Sequence, residues 1–212
     1  MERPAVPDST PFQSVVFLGA PGTGKGTQGK VLGAIPGFFH LSTGDMFRAL
    51  DPASDLGREF LKYSIRGELV PDAFTVSLWQ EHMAKLIAAK KFNPKSELLV
   101  LDGIPRNANQ AKLMDGLVNV LRIVHLDCQD EGELVKRLQL RATKEGRPDD
   151  AKEEVVRRRL EVYREETKPV LAHYPERVIA TVNAVGTPAE VLLAVLNVLA
   201  PVHTAHFANP LS

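Results

Sequence analysis

Short apolar runs alternate with longer stretches of mixed polarity along most of the chain. Four runs of β-branched and other apolar residues occupy positions 14–18, 98–101, 123–126 and 178–182, and a weaker run occupies 38–41. Uninterrupted apolar runs of this length are typical of strands that are buried on both faces of a parallel sheet. The pattern therefore predicts five strands.

Helices are predicted between these strands, because the intervening stretches have one polar and one apolar face. Two of the helices cover 73–90 and 130–141. The last helix has a defined start, with Thr187 as its N-cap, Pro188 in the first helical position and Glu190 closing a capping box. Strands that alternate with helices indicate an α/β fold, in which helices cover both faces of a parallel five-stranded sheet.

Length and composition indicate a single domain. The chain has 212 residues, 44% hydrophobic and 25% charged, which suits one soluble domain with loose termini at 1–13 and 201–212. A formal net charge of zero gives no basic field for nucleic acid. The first residues do not read as a targeting sequence, and no stretch approaches the roughly 20 apolar residues that span a bilayer. We therefore expect a cytoplasmic protein without nucleic-acid or membrane partners.

A glycine-rich stretch follows the first predicted strand and precedes a predicted helix. It reads G-A-P-G-T-G-K-G-T over 19–27. Glycines let backbone N–H groups point at phosphate oxygens, the helix adds its positive N-terminal end, and Lys25 reaches the terminal phosphates. Gly26 follows the lysine where the strict Walker form of the GTPases has a hydroxyl residue, so that form is excluded. The predicted triphosphate site comprises Gly22, Thr23, Gly24, Lys25, Gly26 and Thr27.

Four further motifs agree with this loop in order and spacing. They read L-S-T-G-D-M-F-R at 41–48, G-E-L-V-P-D at 67–72, L-D-G-I-P-R-N-A-N-Q-A at 101–111, and R-A-T-K-E-G-R-P-D-D followed by R-R-R-L-E-V-Y within 141–163. Together with the loop they resemble the signatures of the nucleoside monophosphate kinases, from about residue 14 to about residue 199. The resemblance implies one kinase domain of the P-loop type, with a helical monophosphate-binding segment at 43–73 and a short lid at 143–150. Both segments are expected to move when substrates bind.

The resemblance also implies a reaction and a set of site residues. These kinases transfer the γ-phosphoryl group of MgATP to a monophosphate, and arginines grip the phosphates while no general base is needed. ATP would contact the glycine-rich loop together with Arg137, Arg141 and Gly186. The monophosphate would contact Thr43, Arg48, Glu68, Leu69, Val70, Gly103, Arg106, Gln110, Arg147 and Arg159. The catalytic side chains would be Lys25, Arg106, Arg141, Arg147 and Arg159, and Asp102 would orient waters around Mg²⁺.

Two positions indicate AMP as the acceptor. Gln110, four residues after Arg106, stands where adenylate kinases place the amide that reads adenine, since an amide both donates and accepts. Thr43 is the residue that adenylate kinases choose, whereas pyrimidine kinases favour alanine. Asn109 is the exception, because UMP/CMP kinases tend to have asparagine at that position. A UMP or CMP kinase on the same scaffold stays open as an alternative, as does a nucleotide-binding protein that has lost catalysis.

The arginine run at 157–159 leaves one assignment open. The predicted buried face of its helix recurs at four-three-four-three spacing, at Val156, Leu160, Tyr163, Thr167 and Val170. Arg158 falls nearly opposite this face, whereas Arg157 and Arg159 lie on its two flanks. The R-L-x-x-Y match favours Arg159 for the site, and Arg157 is the weaker candidate.

The lid is expected to be short and without zinc. Arg147 runs directly into P-D-D, without the longer insertion of many bacterial members, and one cysteine, Cys128, excludes a multi-cysteine zinc site. His203 and His206 in the tail are not expected to bind a metal. A cis peptide bond before Pro105 would fit the family. Small kinases of this class are often monomers, and nothing in the sequence argues for an interface.

Overall fold

Five parallel strands form one sheet in the order β2-β3-β1-β4-β5. The computed structural model describes residues 10–147 and 150–207. The strands are β1 Phe12–Gly19, β2 Phe38–Ser42, β3 Leu98–Asp102, β4 Val118–Asp127 and β5 Ile179–Asn183. Each predicted apolar run lies within a strand or overlaps one, so the predicted parallel α/β sheet is confirmed.

Eight α-helices accompany the sheet in the described part of the chain. They are α1 Lys25–Leu32, α2 Thr43–Arg48, α3 Asp55–Ser64, α4 Asp72–Ala88, α5 Ala108–Met114, α6 Glu131–Glu145, α7 Glu153–Val162 and α8 Pro188–His206. A π-helical turn, Tyr163–Thr167, and a 3-10 turn, Lys168–His173, extend α7. The capping box predicted for the last helix is present, since Thr187 Oγ1 accepts from Glu190 N and the Glu190 carboxylate accepts from Thr187 N.

Both faces of the sheet are buried, which explains the uninterrupted apolar runs. Val16 and Leu18 of β1 pack on one side with Trp79 of α4. Val15 and Phe17 of the same strand pack on the other side with α1 and α8. Successive strand side chains point to opposite faces, so both sets must be apolar when helices cover both.

The prediction of loose termini is wrong at both ends of the described chain. Phe12 and Gln13 belong to β1, where they align with Val118 and Asn119 of β4. At the other end, α8 continues through Pro201 to His206. A proline inside a helix usually stops or kinks it, but here contacts beyond the proline hold the last turn. Residues 1–9 and 208–212, which were also predicted to be loose, lie outside the described residues, as do lid residues 148 and 149.

The expectation that no segment is long and apolar enough to span a bilayer is also wrong. Helix α8 has 19 residues with a mean hydropathy of 1.4, which meets that criterion by length and composition. Four of its side chains, Val191, Val195, Leu199 and Val202, are buried within the protein. They belong to the core cluster on one face of the sheet. These four positions pack α8 on the sheet, whereas another apolar residue of the helix, Leu193, is 62% exposed.

Removing the end of α8 is expected to destabilise the protein. Val202 is 7% exposed, and His203 stacks on Phe38 with ring centroids 4.6 Å apart while its Nε2 lies 3.1 Å from Gly37 O. Truncation after Ala200 removes these contacts and should lower the free energy of unfolding by about 2 kcal/mol or more, the scale of one buried aliphatic side chain. Denaturant unfolding measures this, with truncation after Phe207 as the matched control. Equal stability of the two truncated chains would contradict the assignment.

The carboxyl ends of the central strands place the chemically important segments together. Gly19 ends β1, Asp102 ends β3 and Ser42 ends β2, and all three strands are parallel. Ligands of open α/β sheets bind at this edge, outside the carboxyl ends of the strands. The glycine-rich loop, the start of α2 and the loop after Asp102 therefore meet at one edge.

Candidate active site

A cavity of about 460 Å³ opens at this edge of the sheet. The predicted site residues that line it are Gly22, Gly24, Lys25, Gly26, Thr27, Thr43, Arg48, Glu68, Leu69, Val70, Asp102, Gly103, Arg106, Gln110, Arg141, Arg147 and Arg159. They come from the glycine-rich loop and the four further motifs of the sequence. The fold therefore brings most of the predicted triphosphate and monophosphate sites to one cavity.

Three predicted residues do not line this cavity. Thr23 is buried, and its hydroxyl donates to Ala20 O at 2.9 Å, which closes the glycine-rich loop on itself. Arg137 donates from a terminal guanidinium nitrogen to Ala184 O at 2.9 Å, beside the loop that contains Gly186. Arg137 and Gly186 thus lie near one another, and their contact with the ATP base stays a prediction.

Two glycines in the cavity wall have no room for a side chain. Gly22 has φ 90°, and a Cβ there would lie 2.9 Å from the backbone oxygen of Leu134. Gly103 has φ 87°, and its Cβ would lie 2.7 Å from Thr43 Oγ1. Glycine adopts these positive φ angles without the steric cost that other residues incur. Gly22 therefore lets the glycine-rich loop pack closely on α6, and Gly103 lets the loop after Asp102 pack closely on α2.

Lys25 begins α1 and projects its ammonium into the loop before it. Its Nζ donates to Gly19 O at 2.6 Å and to Ala20 O at 3.0 Å. Burial lowers the pKa of Lys25 to about 8, with Asp102 opposing the shift and nearby arginines adding to it. Removal from water disfavours the charged ammonium, and an incoming phosphate would supply further negative charge that stabilises it.

ATP affinity is therefore expected to fall as the pH rises above about 8. Below this pKa Lys25 carries its proton, whereas above it ATP binding must take up a proton, which costs up to about tenfold in affinity per pH unit. Calorimetric titration in buffers of different ionisation enthalpy between about pH 7 and pH 9.5 measures both affinity and proton uptake. Lys25→Arg, which stays charged throughout, should flatten the dependence. A wild-type affinity that does not change across this range would contradict the argument.

Asp102 is a buried carboxylate at the end of β3, next to the glycine-rich loop. Its Oδ2 lies 3.7 Å from His40 Nε2 and 3.5 Å from where a Cβ on Gly26 would be. Burial raises the pKa of Asp102, but His40, Lys25 and Arg106 together outweigh it, so the pKa lies below its ordinary value. The side chain is therefore an anion near neutral pH, as its predicted role requires.

Asp150 holds two of the predicted arginines, and sequence reasoning missed it. Its carboxylate is fully buried and accepts from Arg141 Nε at 2.7 Å and from Arg159. Arg159 lines the cavity, whereas Arg157 is exposed and pairs with Glu153 at 2.7 Å. The structure thus places Arg159, and not Arg157, at the cavity. The P-D-D sequence after Arg147 places acids near the lid, but it does not indicate which of them pairs with these arginines.

Asp45 is a second carboxylate that sequence reasoning missed. In the first turn of α2, its Oδ1 lies 2.5 Å from a guanidinium nitrogen of Arg48 and 3.7 Å from one of Arg147. Burial raises the pKa of Asp45, but the lowering by Arg48, Lys30 and Arg147 together outweighs it, so the pKa lies below its ordinary value. Arg147 donates to Glu145 at 2.7 Å, and its approach to Asp45 puts the predicted lid next to the predicted monophosphate segment.

Gln110 and Asn109 occupy different environments. Gln110 is 2% exposed, lines the cavity, and accepts from the backbone N–H of Arg106 at 2.8 Å through its Oε1. Asn109 is exposed, and its amide donates to Asp72 outside the cavity wall. Asn109, which made the sequence signal ambiguous, therefore does not face the site.

The predicted cis peptide bond between Ile104 and Pro105 is present.

No three His, Cys, Asp or Glu side chains within residues 10–147 and 150–207 are grouped so that they could hold a metal ion. The cavity residues do fit a Mg²⁺ ion that is bound mainly through waters and substrate phosphates. Asp102 presents an anionic oxygen beside the glycine-rich loop, and Thr27 lines the same cavity. Mg²⁺ prefers such oxygen ligands and usually keeps several waters and substrate phosphates in its shell.

Comparison with known proteins identifies the family of this chain. A family model described as adenylate kinase matches residues 17–179. An adenylate kinase from Thermus thermophilus is 42% identical over 186 residues, which is 84% of this chain and 92% of the relative. One from a Synechococcus species is 43% identical over 168 residues, 77% of this chain and 85% of the relative. One from Rhodococcus erythropolis is 40% identical over 183 residues, 84% and 93% of the two chains. The chain therefore belongs to the adenylate kinase family, a family of phosphotransferases.

Proposed function

We propose that this protein catalyses the reversible transfer of the γ-phosphoryl group from MgATP to AMP, which yields two molecules of ADP. One observation carries the proposal: a P-loop lysine and five arginines line a single cavity together with one buried amide. The five are Arg48, Arg106, Arg141, Arg147 and Arg159. A chain with a formal charge of zero concentrates cations in this way where it must bind polyanions.

The proposed chemistry is positioning and charge stabilisation. An AMP phosphate already carries deprotonated oxygens near neutral pH, so its attack on the γ-phosphorus needs no general base. Arginine forks hold the two anions in line, and Lys25 neutralises charge on the transferring group. Asp45 and Asp150 hold three of these arginines at the cavity, Arg48, Arg141 and Arg159, and substrate phosphates would compete with them for the guanidinium groups.

Magnesium enters the proposal through Asp102 and the triphosphate. Asp102 would hold waters of the ion, and the Thr27 hydroxyl is the second candidate from the glycine-rich loop. When bound, the ion neutralises charge on the phosphate oxygens. Asp102 is suited to this because neighbouring cations keep it ionised.

Gln110 supports AMP as the acceptor over UMP and CMP. Its amide offers both a donor and an acceptor, which match the adjacent amino group and ring nitrogen of adenine. Thr43, the other predicted marker, is buried at the cavity, where its hydroxyl donates to Asp102 O at 3.3 Å. We infer that Thr43 fixes the loop after Asp102 behind the acceptor base.

Closure of two segments completes the proposed mechanism. Residues 43–73 and the lid at 143–150 would close over the nucleotides, which excludes water as a competing acceptor. The approach of Arg147 to Asp45 supports a meeting of these two segments. We further propose a cytoplasmic, monomeric enzyme without zinc, on the family resemblance and the lone cysteine. The non-catalytic alternative is disfavoured because every predicted phosphate-binding cation is present.

The test is ADP formation by the purified protein with MgATP, with AMP, UMP and CMP offered separately at equal concentration. We expect turnover with AMP and little with either pyrimidine nucleotide. Turnover mainly with UMP or CMP would keep the reaction and reject the roles of Thr43 and Gln110. Tight ATP binding without turnover of any acceptor would favour the non-catalytic alternative.

A further inference from the structure

Asp72 gathers three amide side chains just outside the wall of the cavity. It is the first residue of α4 and is half-buried. Its Oδ1 accepts from Asn107 Nδ2 at 2.8 Å and from Gln110 Nε2 at 2.9 Å, and its Oδ2 accepts from Asn109 Nδ2 at 2.8 Å. All three donors lie at the start of α5, where Asn107 is the N-cap. One carboxylate thus ties the beginning of α4 to the beginning of α5.

The two contacts of the Gln110 amide define its orientation without ambiguity. Arg106 offers a backbone N–H, which can only donate, at 2.8 Å from Gln110 Oε1. Asp72 offers a carboxylate, which can only accept, at 2.9 Å from Gln110 Nε2. In a flipped amide, the Gln110 NH₂ group would face the N–H of Arg106, and the Gln110 oxygen would face the carboxylate of Asp72. Because Gln110 is 2% exposed, water could not relieve either mismatch.

The fixed amide has one N–H and one oxygen lone pair left for a ligand in the cavity. Adenine presents an amino donor next to a ring-nitrogen acceptor. Hypoxanthine has the same size and shape but presents a carbonyl acceptor next to an N–H donor. An amide that cannot flip therefore matches the first base and mismatches the second in the same position.

We propose that Asp72 is a positioning residue for base selection, which holds Gln110 in one orientation so that the acceptor site takes a 6-amino purine and rejects a 6-oxo purine. The inference rests on the proposed function, in which Gln110 reads the acceptor base. Asp72 does not itself line the cavity, so it acts through Gln110.

The hydrogen-bond pattern separates the acceptor role of Asp72 from its charge. Asn107 and Gln110 both donate to the same oxygen, Oδ1. Asp72→Asn keeps one such oxygen, so both bonds survive, and the exposed Asn109 can turn to water instead. Asp72→Leu has a similar shape and no acceptor, so Gln110 retains only its contact with Arg106. The two variants should therefore differ, although both remove one negative charge from the first turn of α4.

The test compares steady-state kinetics with AMP and with IMP at saturating MgATP. Asp72→Leu is expected to raise KM for AMP about tenfold, change kcat less than about threefold, and lower the AMP-to-IMP ratio of kcat/KM about tenfold, because a buried amide loses a hydrogen-bond partner. Asp72→Asn should keep the ratio within about threefold of wild type. Glu153→Gln is the matched control, since it removes a carboxylate from the first turn of α7, where Glu153 pairs with exposed Arg157.

Thermal melting accompanies each assay. If Asp72→Leu does not fold at the assay temperature, Asp72→Ser replaces it, because its short hydroxyl cannot accept from both amides, and the same loss of discrimination is expected. An AMP-to-IMP ratio unchanged in the acceptor-free variant overturns the proposal, as does an equal loss in Asp72→Asn or a wild-type enzyme that uses both nucleotides equally. Absence of wild-type turnover with AMP rejects the proposed function instead, so the two failures are distinguishable.

Discussion

Replacing Arg159 by alanine is expected to lower kcat about 10³-fold or more, the scale measured for arginines that stabilise a transferring phosphoryl group. Its side chain is 17% exposed, lines the cavity and is held by the buried carboxylate of Asp150. That carboxylate also binds Arg141, so the two guanidinium groups are aimed into the cavity together. A pre-positioned cation costs no reorganisation when charge develops in the transition state. Rapid-quench measurement of the transfer step gives the effect directly.

Arg157 supplies a matched control on the same helix. Its side chain is 67% exposed and pairs with Glu153, one turn away along α7. Exposed pairs of this kind contribute little to stability, so Arg157→Ala should leave kcat within about twofold and the melting temperature nearly unchanged. Equal losses in both variants would show that the run 157–159 acts as a whole, which would contradict the assignment of Arg159 alone. A loss in Arg159→Ala that follows unfolding would contradict it as well.

Replacing Lys25 by methionine should lower kcat about 10²- to 10³-fold, as expected for one pre-organised donor to developing charge. Methionine keeps the length of the side chain but loses the ammonium that now contacts Gly19 O and Ala20 O. The loss should appear in kcat more than in the affinity for AMP, because the acceptor site is built from other segments. Steady-state kinetics with each nucleotide varied in turn separates these effects.

Lys85→Met is the control for this substitution. Lys85 lies in the last turn of α4, is 72% exposed, and pairs with Glu81 at 2.7 Å. It does not line the cavity, so its loss should leave kcat within about twofold. If the Lys25→Met enzyme retains more than about a tenth of wild-type kcat, the proposed role of Lys25 in stabilising the transferring group is wrong.

The sheet could be predicted from the sequence because strands covered on both faces must be apolar throughout. The same reason explains the boundaries that the sequence did not reveal. The first half of β4, Val118 to Leu121, is only partly buried and contains Asn119, so it produces no uninterrupted apolar run. Pro201 suggested that the last helix ends there, yet beyond it Val202 is buried and His203 stacks on Phe38 of β2. Tertiary contacts decided both boundaries.

The cations of the site could also be predicted, because each lies in a motif with a fixed order along the chain. The carboxylates that position them could not. Asp150 meets Arg159 across the turn before α7, and Asp72 meets Gln110 across a separation of 38 residues. No spacing rule indicates which acid folds back onto which arginine or amide, since those pairs form only when distant elements pack. The sequence therefore indicated cations that line the cavity and missed the carboxylates that hold them.

The central claim is that the γ-phosphoryl group moves from ATP to AMP inside this cavity. A single-turnover experiment with γ-labelled ATP, Mg²⁺, AMP and excess protein follows that group directly. The account predicts that the label appears in the β-position of ADP, at a rate that Arg159→Ala reduces and Arg157→Ala does not. Label that appears as inorganic phosphate, or that remains on ATP while AMP is bound, would contradict it.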